Sequence, residues 1–220
     1  MIAHMENKSL LYYSNTRPEM TSFIKSMPQR ILEIGCGAGG FRGNFPDDIE
    51  YWGVEPCETA AAAARQVLTR TLIGTYDSTR DKIPAHYFDL IVCNDVIEHM
   101  PDPKAFLRDI RGKLSNNGEM IASVPNLRNA VTLYELLIKG DFTYISAGVL
   151  DYTHLHLFTK KSFIKMALEC GWAIEKCEPL PPQPFKPVKN LLLNFIKPFI
   201  PEIKSNQIAA RLSPNTNCNC

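Results

Sequence analysis

The 220-residue sequence lacks an excess of either charge, with 24 Lys and Arg residues against 23 Asp and Glu residues. A dedicated nucleic-acid binder usually carries a basic excess or a basic stripe, so we expect no nucleic-acid partner. The sequence also lacks an apolar run of membrane-spanning length and an apolar segment near its N terminus like that of a secretory signal. We therefore expect no membrane span and one α/β domain, for which the chain is long enough.

The sequence contains seven cysteines but no CxxC pair. Such pairs are typical of zinc sites and redox sites, and scattered thiols fit a reducing compartment. A cytoplasmic protein is therefore expected. Cys218 and Cys220 lie in a polar tail, where they could bind metal or oxidise, but an inert, disordered end over 214–220 is the preferred interpretation.

A glycine-rich stretch follows the first apolar run of the chain. Residues 30–40 have the sequence RILEIGCGAGG, in which an acid precedes four glycines. The short, partly β-branched run predicts a buried strand. Glycines directly after a strand let the backbone turn sharply and approach a ligand closely. The stretch predicts a site for a nucleotide-like cofactor.

An acidic residue ends the next predicted strand. Residues 50–55, EYWGVE, predict this strand, and Glu55 falls about twenty residues after the glycine loop begins. Dinucleotide and adenosine sites place a carboxylate at this spacing, where it accepts hydrogen bonds from ribose hydroxyls. Strand, glycine loop and spaced acid together indicate an adenosine-like ligand.

Polar residues crowd the end of a further buried strand, FDLIVC, which leads into NDVIEHMPDP. Asn94, Asp95, Glu98 and His99 lie in this segment. Open α/β sheets bind ligands at the carboxyl ends of their parallel strands. The alternative is a helix N terminus capped by Asn94 or Asp95. The cluster as a whole favours a functional role.

The remaining pattern alternates strands with helices, which favours a mostly parallel sheet. Further strands are predicted over 71–74, 119–124, 172–177 and 208–212, the last as an edge strand, with a turn over 115–118. Helices are predicted over 59–68, 103–114, 129–139 and 160–170, and an N-terminal helix begins near Pro18, capped by Asn15 or Thr16. Residues 188–200 predict a helix that packs on the domain or, alternatively, makes weak peripheral contact with a membrane surface.

Two histidines alternate with apolar residues in DYTHLHLFT, over residues 151–159. If this segment is extended, His154 and His156 point to the same side. No third ligand is evident nearby, so no metal site is expected. The segment instead suggests a cap that places one histidine over an active site, with a histidine packed inside the cap as the alternative.

Two other segments have open interpretations. Tyr13 and Arg17 belong either to a flap over the cofactor, with Arg17 pairing a carboxylate, or to an exposed part of the N-terminal helix. Residues 75–78, TYDS, either face a bound adenine or form a surface turn.

Taken together, ExGxGxG at residues 33–39, the acid at Glu55 and FDLIVCNDVIEHMPDP resemble class I S-adenosylmethionine (SAM)-dependent methyltransferases. YYSNTRPE, SVPNLRN and LDYTHLHLFT as a set are similar to a group associated with polysaccharide and O-antigen synthesis, and more distantly to ubiquinone-type O-methyltransferases. Members often carry an acid where this chain has Thr75 and Tyr76, and often an Arg at His156, so His154 is the preferred catalytic histidine.

The resemblance implies an α/β fold, a three-layer Rossmann-like sheet of seven mostly parallel strands with the last antiparallel, plus a small helical cap. It implies a flap over 1–27, a methyltransferase domain over 28–213 with insertions at 128–158 and 179–203, and SAM as cofactor. The implied cofactor-binding residues are Tyr13, Arg17, Glu33, Gly35, Gly37, Gly39, Glu55, Pro56, Asp77, Asn94 and Asp95. His99 and His154 are the implied catalytic residues, and Asn126, Asp151 and His156 the implied acceptor-binding residues.

The expected reaction is methyl transfer to an oxygen of a sugar or glycan precursor, or alternatively of a quinol-type or other small metabolite. Two other functions remain as hypotheses. The first is an NAD-type oxidoreductase, against which the ExGxGxG spacing argues, since such enzymes carry GxGxxG. The second is a non-catalytic protein that keeps the fold and binds a partner, which the intact glycine loop and Glu55 disfavour.

Overall fold

The computed structural model describes residues 13–182 and 187–215. Over this part of the chain, no helix is both long enough and apolar enough to cross a membrane. The flap and the C-terminal tail predicted from the sequence extend into residues 1–12 and 216–220, which lie outside the described residues.

A seven-stranded sheet has the order β3-β2-β1-β4-β5-β7-β6. Neighbouring strands from β3 to β5 are parallel, whereas β7 is antiparallel to both β5 and β6. The predicted α/β fold, with a mostly parallel sheet and an antiparallel last strand, is confirmed. The strands are β1 Arg30–Ile34, β2 Glu50–Glu55, β3 Arg70–Ile73, β4 Phe88–Asn94, β5 Leu114–Pro125, β6 Trp172–Pro179 and β7 Gln207–Pro214.

Helices connect these strands and flank the sheet. The α-helices are α1 Glu58–Ala64, α2 Tyr76–Thr79, α3 Pro103–Ile110, α4 Ala130–Tyr134, α5 Lys160–Glu169 and α6 Pro187–Ile196. Short 3₁₀ helices span Pro18–Phe23, Gly40–Asn44, Arg80–Lys82, Ile97–His99 and Arg111–Lys113, and a π-helical turn spans Glu135–Lys139.

Two hydrophobic clusters cover the two faces of the sheet. Along β4, Ile91 and Cys93 enter the cluster that contains residues of α3 and α5, whereas Leu90 and Val92 enter the other. This alternation follows from the two-residue period of a strand. Because both faces are covered, ligands must approach the sheet at its strand ends.

Two sequence predictions about strands were wrong. Residues 115–118 are part of β5 rather than a turn, since a register shift opposite β4 accommodates them and the side chain of Ser115 donates to Asp89. β7 is not an edge strand but lies between β5 and β6. The four buried residues Ile208, Ala209, Ala210 and Leu212 explain this position, because their small or apolar side chains fit between covered faces.

The N-terminal 3₁₀ helix is not capped as predicted. Arg17 occupies the N-cap position in the left-handed region, with φ of 45°, and its side chain makes no cap hydrogen bond. The Asn15 side chain instead accepts from the Arg17 N–H at 3.3 Å. This turn aims the Arg17 side chain into the protein, where it is 8% exposed.

The helix predicted over 129–139 changes character at Glu135, where α4 passes into the π-helical turn. Residues 140–158 then contain only isolated bridges and turns. The cap is therefore one short helical segment followed by an irregular chain.

Candidate functional site

Three polar segments meet at one edge of the sheet. β2 and β4 both pair with β1 in parallel, so the glycine loop after β1, Glu55 at the end of β2 and Asn94 at the end of β4 lie side by side. This edge is the carboxyl edge, where open α/β sheets bind ligands. The sequence prediction that these segments form one site is consistent with this topology.

The glycine loop requires glycine for two reasons: its backbone has a positive φ, and neighbouring atoms leave no room for a side chain. Gly37 has φ of 54°, and a Cβ built there would lie 2.6 Å from the carbonyl oxygen of Tyr13. That carbonyl accepts the Ala38 N–H at 2.9 Å. Tyr13 is thereby held against the loop, with its side chain packed beside Cys57 and Ala60.

The Glu55 side chain accepts a hydrogen bond from the glycine loop. Its Oε2 accepts the Gly37 N–H and its Oε1 accepts the Cys57 N–H, both at 2.9 Å. Burial raises the pKa of Glu55, although these two N–H groups oppose the rise. Each carboxylate oxygen can accept a further hydrogen bond, so Glu55 can still bind a hydroxyl. Pro56, between these contacts, is half-buried.

Glu33 is buried within β1, and its Oε2 accepts a hydrogen bond from the Tyr51 hydroxyl at 2.8 Å. Burial raises the pKa of Glu33 to about 8. The carboxyl group is therefore neutral at pH 7, two positions before the first glycine of the loop.

Arg17 and Asp95 form the centre of a partly buried polar network. Asp95 has φ of 55°, and its carboxylate pairs with Arg17 and accepts from the Gln207 side chain at 2.6 Å and from the Ser123 hydroxyl at 3.0 Å. Arg17 also pairs with Glu19 at 2.6 Å. Charge-assisted bonds of this kind fix geometry strongly. The N-terminal segment is thus tied to the ends of β4, β5 and β7, and Arg17 has protein carboxylates as its partners.

Neither Asn94 nor Asp95 caps a helix. The following 3₁₀ helix has Val96 at its N-cap and no side-chain cap bond. Both amide atoms of the Asn94 side chain are buried and have no hydrogen-bond partner among the described residues. A buried amide without partners is costly, so Asn94 is suited to bind a polar ligand at this edge.

Asp77 lies in the first turn of α2, which follows β3, and its side chain is exposed. Thr75 caps that helix by accepting the Ser78 N–H. The TYDS segment therefore forms a helix start directly after β3, next to Glu55 in the sheet order.

The two predicted catalytic histidines lie against each other. The ring centroids of His99 and His154 are 4.8 Å apart. Nδ1 of His99 lies 3.0 Å from the Thr153 carbonyl oxygen, and Nδ1 of His154 lies 3.0 Å from the Val149 carbonyl oxygen. Burial lowers the pKa of His99. Residues far apart in the sequence are thus brought to one place.

Glu98 completes this cluster; the sequence placed it in the polar segment after β4 but gave it no individual role. It is 0% exposed, and neither of its carboxylate oxygens has a hydrogen-bond partner among the described residues. Its Oε1 lies 3.9 Å from Nε2 of His154. The signal in the sequence was its place beside His99 in the polar strand end.

The predicted acceptor-binding residues differ in their surroundings. His156 stacks on Phe158. The segment from Asp151 is a turn and not a strand, so His154 and His156 have different neighbours. Asp151 is buried and accepts from the Thr153 N–H and hydroxyl.

Asn126 is fully buried, and its amide group donates to the carbonyl oxygens of Glu202 and Ser205. Its side-chain oxygen accepts the Arg128 N–H. Both amide hydrogens are therefore used inside the protein, and Asn126 holds the segment before β7 in place. No amide hydrogen of Asn126 is thus left to bind an acceptor.

Comparison with known proteins finds similarity to methyltransferases. A family model described as a methyltransferase domain matches residues 12–176. A ubiquinone biosynthesis O-methyltransferase of Aeromonas salmonicida is 27% identical over 185 residues, which cover 78% of this chain and 76% of the relative. Another protein of that name, from Rhodopseudomonas palustris, is 32% identical over 101 residues, which cover 44% of this chain and 40% of the relative. Such matches thus span between two fifths and three quarters of the relatives' length.

Among solved structures, a SAM-dependent methyltransferase from Archaeoglobus fulgidus superposes with a TM-score of 0.62 at 18% identity, covering 95% of this chain and 96% of that chain. At this identity the likeness shows the fold alone.

Proposed function

The chain belongs to the methyltransferase-domain family, and on this premise we propose that it transfers a methyl group from SAM to an oxygen of a small polar acceptor. The observation that carries the proposal is the edge where the glycine loop, Glu55 and Asn94 lie side by side on adjacent parallel strands. The names of the curated relatives support oxygen as the accepting atom.

The residues at this edge fit SAM. The unpartnered amide of Asn94 and the remaining acceptor positions of Glu55 are suited to a ligand that carries both donors and acceptors. When bound, SAM supplies a methyl group activated by its sulfonium. The chain's own contribution is to position donor and acceptor, because an in-line displacement depends on their alignment.

We assign the cofactor-binding roles as follows. Glu55 accepts from the ribose hydroxyls, and the backbone of Gly35, Gly37 and Gly39, with Glu33 beneath it, holds the methionine portion. Asn94 and Asp95 line the floor of the site. Pro56 and Asp77 lie on the adenine side, and Tyr13 and Arg17 close the N-terminal side. Arg17 performs this last role through its ion pair with Asp95.

We place the acceptor beside His99 and His154. An alcohol must lose its proton as the new bond forms, so a nearby proton acceptor promotes the reaction. Because Nδ1 of each ring faces a carbonyl oxygen, it carries the hydrogen, and Nε2 is left as the acceptor. Asp151 and His156 belong to the same cap and form the remainder of the acceptor side.

A sugar or glycan-precursor hydroxyl is the acceptor that we propose, on the polar character of this histidine cluster and the resemblance of the chain's motifs. A quinol-type acceptor is the second candidate. It is favoured by the exposed apolar residues that follow α4, which offer a surface to a hydrophobic molecule. These residues include Leu137, Ile138, Phe142, Tyr144, Ile145, Tyr152 and Leu155.

Calorimetry with SAM tests the cofactor assignment, with Glu55→Gln as the variant. We expect micromolar binding by the wild type and a loss of about 10- to 100-fold in the variant, since hydrogen bonds to charged groups contribute about 1.5–3 kcal/mol. Glu58→Gln, at an exposed position nearby, is the matched control and should bind normally. Failure of the wild type to bind SAM would overturn the proposal.

Transfer of a labelled methyl group distinguishes the acceptors. Nucleotide sugars and a polyphenol such as a demethylated quinol analogue are compared under equal conditions. Label on the sugar supports our first assignment, label on the phenol replaces it with the second, and label on neither contradicts both.

A further inference from the structure

Three groups able to ligate metal meet where the cap contacts the end of β4. From their arrangement we propose that Glu98, His99 and His154 form a binding site for one divalent first-row transition metal ion of the Zn²⁺ type. One ligand atom from each residue lies within 4.8 Å of the others. Two residues come from the turn after β4 and the third comes from the cap, more than fifty positions later.

The hydrogen bonds of the two histidines prepare both rings for a metal. Nδ1 of His99 and Nδ1 of His154 each lie 3.0 Å from a backbone carbonyl oxygen. A carbonyl only accepts, so each Nδ1 carries the hydrogen and each Nε2 presents a lone pair. Metal-ligating histidines commonly donate their other N–H to a carbonyl, which fixes tautomer and orientation.

Glu98 supplies the charge that such a site needs. Its carboxyl group is completely buried, and both oxygens lack a hydrogen-bond partner among the described residues. The 3.9 Å between its Oε1 and Nε2 of His154 is too long for a hydrogen bond. A buried carboxylate without a partner is costly, and a bound cation would satisfy it. Burial together with the charge of Asp95 raises the pKa of Glu98 as long as no cation is there.

The backbone fixes the cap against the turn that carries Glu98. The N–H groups of Leu155 and His156 both donate to the Glu98 carbonyl oxygen, at 2.9 and 3.0 Å. Asp151 in turn accepts from the N–H and hydroxyl of Thr153, which carries the carbonyl facing His99. The three ligands are therefore held by a preformed frame, as a metal site requires.

The donor set selects the kind of ion. Two imidazole nitrogens and one carboxylate suit Zn²⁺, Fe²⁺ and similar ions, whereas Mg²⁺ prefers oxygen ligands. Bonds of about 2.1 Å place ligand atoms roughly 3–3.5 Å apart, so a pair separated by 4.8 Å must approach by about 1.3–1.8 Å. Asp95 is not a further ligand, because Arg17, Ser123 and Gln207 occupy its carboxylate. Positions for water or a substrate oxygen remain open.

The consequence for catalysis rests on the proposed function. With the ion bound, both Nε2 atoms would be ligands, so the histidines would no longer act as proton acceptors. A coordinated acceptor hydroxyl would instead release its proton to water, which it would do more readily because a bound divalent cation lowers the pKa of a coordinated oxygen. Metal binding itself does not depend on that function and is measured separately.

Calorimetry with Zn²⁺ tests the site, after removal of metal with a chelator. The protein carries Cys218→Ser and Cys220→Ser, so that the thiols of the tail cannot bind the ion. We expect one equivalent of Zn²⁺ at micromolar affinity or tighter, and at least about a 10-fold loss in Glu98→Gln and in His154→Ala. His86→Asn is the matched control, because His86 is exposed and lies outside the cluster, and it should bind normally.

Histidine ¹⁵N spectra of the protein without active-site substitutions provide a second measurement that is independent of variant folding. Addition of Zn²⁺ should shift Nε2 of His99 and His154 but leave His86 and His156 in place. No binding, unchanged affinity in both cluster variants, or unshifted His99 and His154 signals would overturn the proposal.

SAM titration of the same samples separates the two proposals. SAM binding without Zn²⁺ binding contradicts only the metal site, and Zn²⁺ binding without SAM binding contradicts only the proposed function.

Discussion

Two buried carboxyl groups show how strongly the surroundings of a single residue determine its chemistry. Glu33 has the Tyr51 hydroxyl as a donor, whereas neither oxygen of Glu98 has a hydrogen-bond partner among the described residues. Burial raises the pKa of both groups. Burial thus keeps Glu33 neutral inside the sheet even though the Tyr51 hydroxyl opposes the rise in pKa, whereas the unpartnered oxygens of Glu98 suit it to bind a cation.

Replacement of Glu33 by Gln tests the first of these environments through the pH dependence of stability. The pKa of Glu33 is raised from 4.5 to about 8 by burial, so the folded state favours the protonated form. The contribution of Glu33 to the free energy of unfolding is complete below about pH 4.5 and is lost as pH rises towards 8. At roughly 1.36 kcal/mol per pKa unit, the loss is at most about 5 kcal/mol. Gln cannot ionise, so Glu33→Gln should gain stability relative to wild type across this window.

Urea unfolding between pH 5 and 8.5 measures that difference. Glu58→Gln, on the exposed side of α1, serves as the control and should follow the wild type. A constant difference between Glu33→Gln and wild type over the window would contradict the assignment.

At the scale of elements, the glycine loop and the N-terminal segment form one unit. The carbonyl oxygen of Tyr13 lies 2.6 Å from the position of a Cβ on Gly37, and the Gly37 N–H donates to Glu55 at the end of β2. A change in one of these elements therefore moves the other two. This packing is the physical reason for glycine at position 37.

Gly37→Ala should disturb both the fold and cofactor binding. Its φ of 54° strains any other residue, and its new Cβ would lie 2.6 Å from the Tyr13 carbonyl oxygen. We expect a loss of about 1–3 kcal/mol, a Tm drop of roughly 2–12 °C for a chain of this size, and weakened SAM binding.

Gly43→Ala is the matched control, because nothing lies within 4 Å of a Cβ built there. Thermal melting and SAM calorimetry compare the stability and the SAM affinity of the two variants. Equal behaviour of the two would show that the loop tolerates a side chain.

At the scale of the whole molecule, the C-terminal strand joins two parts of the sheet. β7 lies between β5 and β6 and hydrogen-bonds to both. Its residue Gln207 also reaches Asp95 at the candidate site. The last described segment of the chain is therefore necessary for the sheet and for the geometry at its carboxyl edge.

Truncation tests this arrangement. A chain that ends at Asn206 loses β7 and leaves the edges of β5 and β6 unpaired, with apolar surface exposed. We expect no cooperative thermal transition by circular dichroism. A chain that ends at Asn215 keeps all seven strands and should melt like the full-length protein, whereas cooperative melting of the shorter chain at a similar Tm would contradict the role of β7.

Local patterns predicted most elements of the fold. The strand over 50–55 was predicted with the bounds that the structure has, and β1 and β4 within one or two residues. The errors arose where the pairing of distant strands decides, as at residues 115–118, which lie at the register shift between β4 and β5. The position of β7 was missed for the same reason, since a short apolar run does not reveal how many neighbours it will have.

The sequence by itself determined the family, the order of most elements and the glycine loop with its spaced acid, because these depend on local spacing and backbone geometry. Only the tertiary structure decided which polar groups meet. It paired Arg17 with Asp95, occupied Asn126 inside the protein, and brought Glu98 and His99 against His154. Such contacts join residues more than fifty positions apart, and their chemistry follows from burial and from missing partners, which no local pattern records.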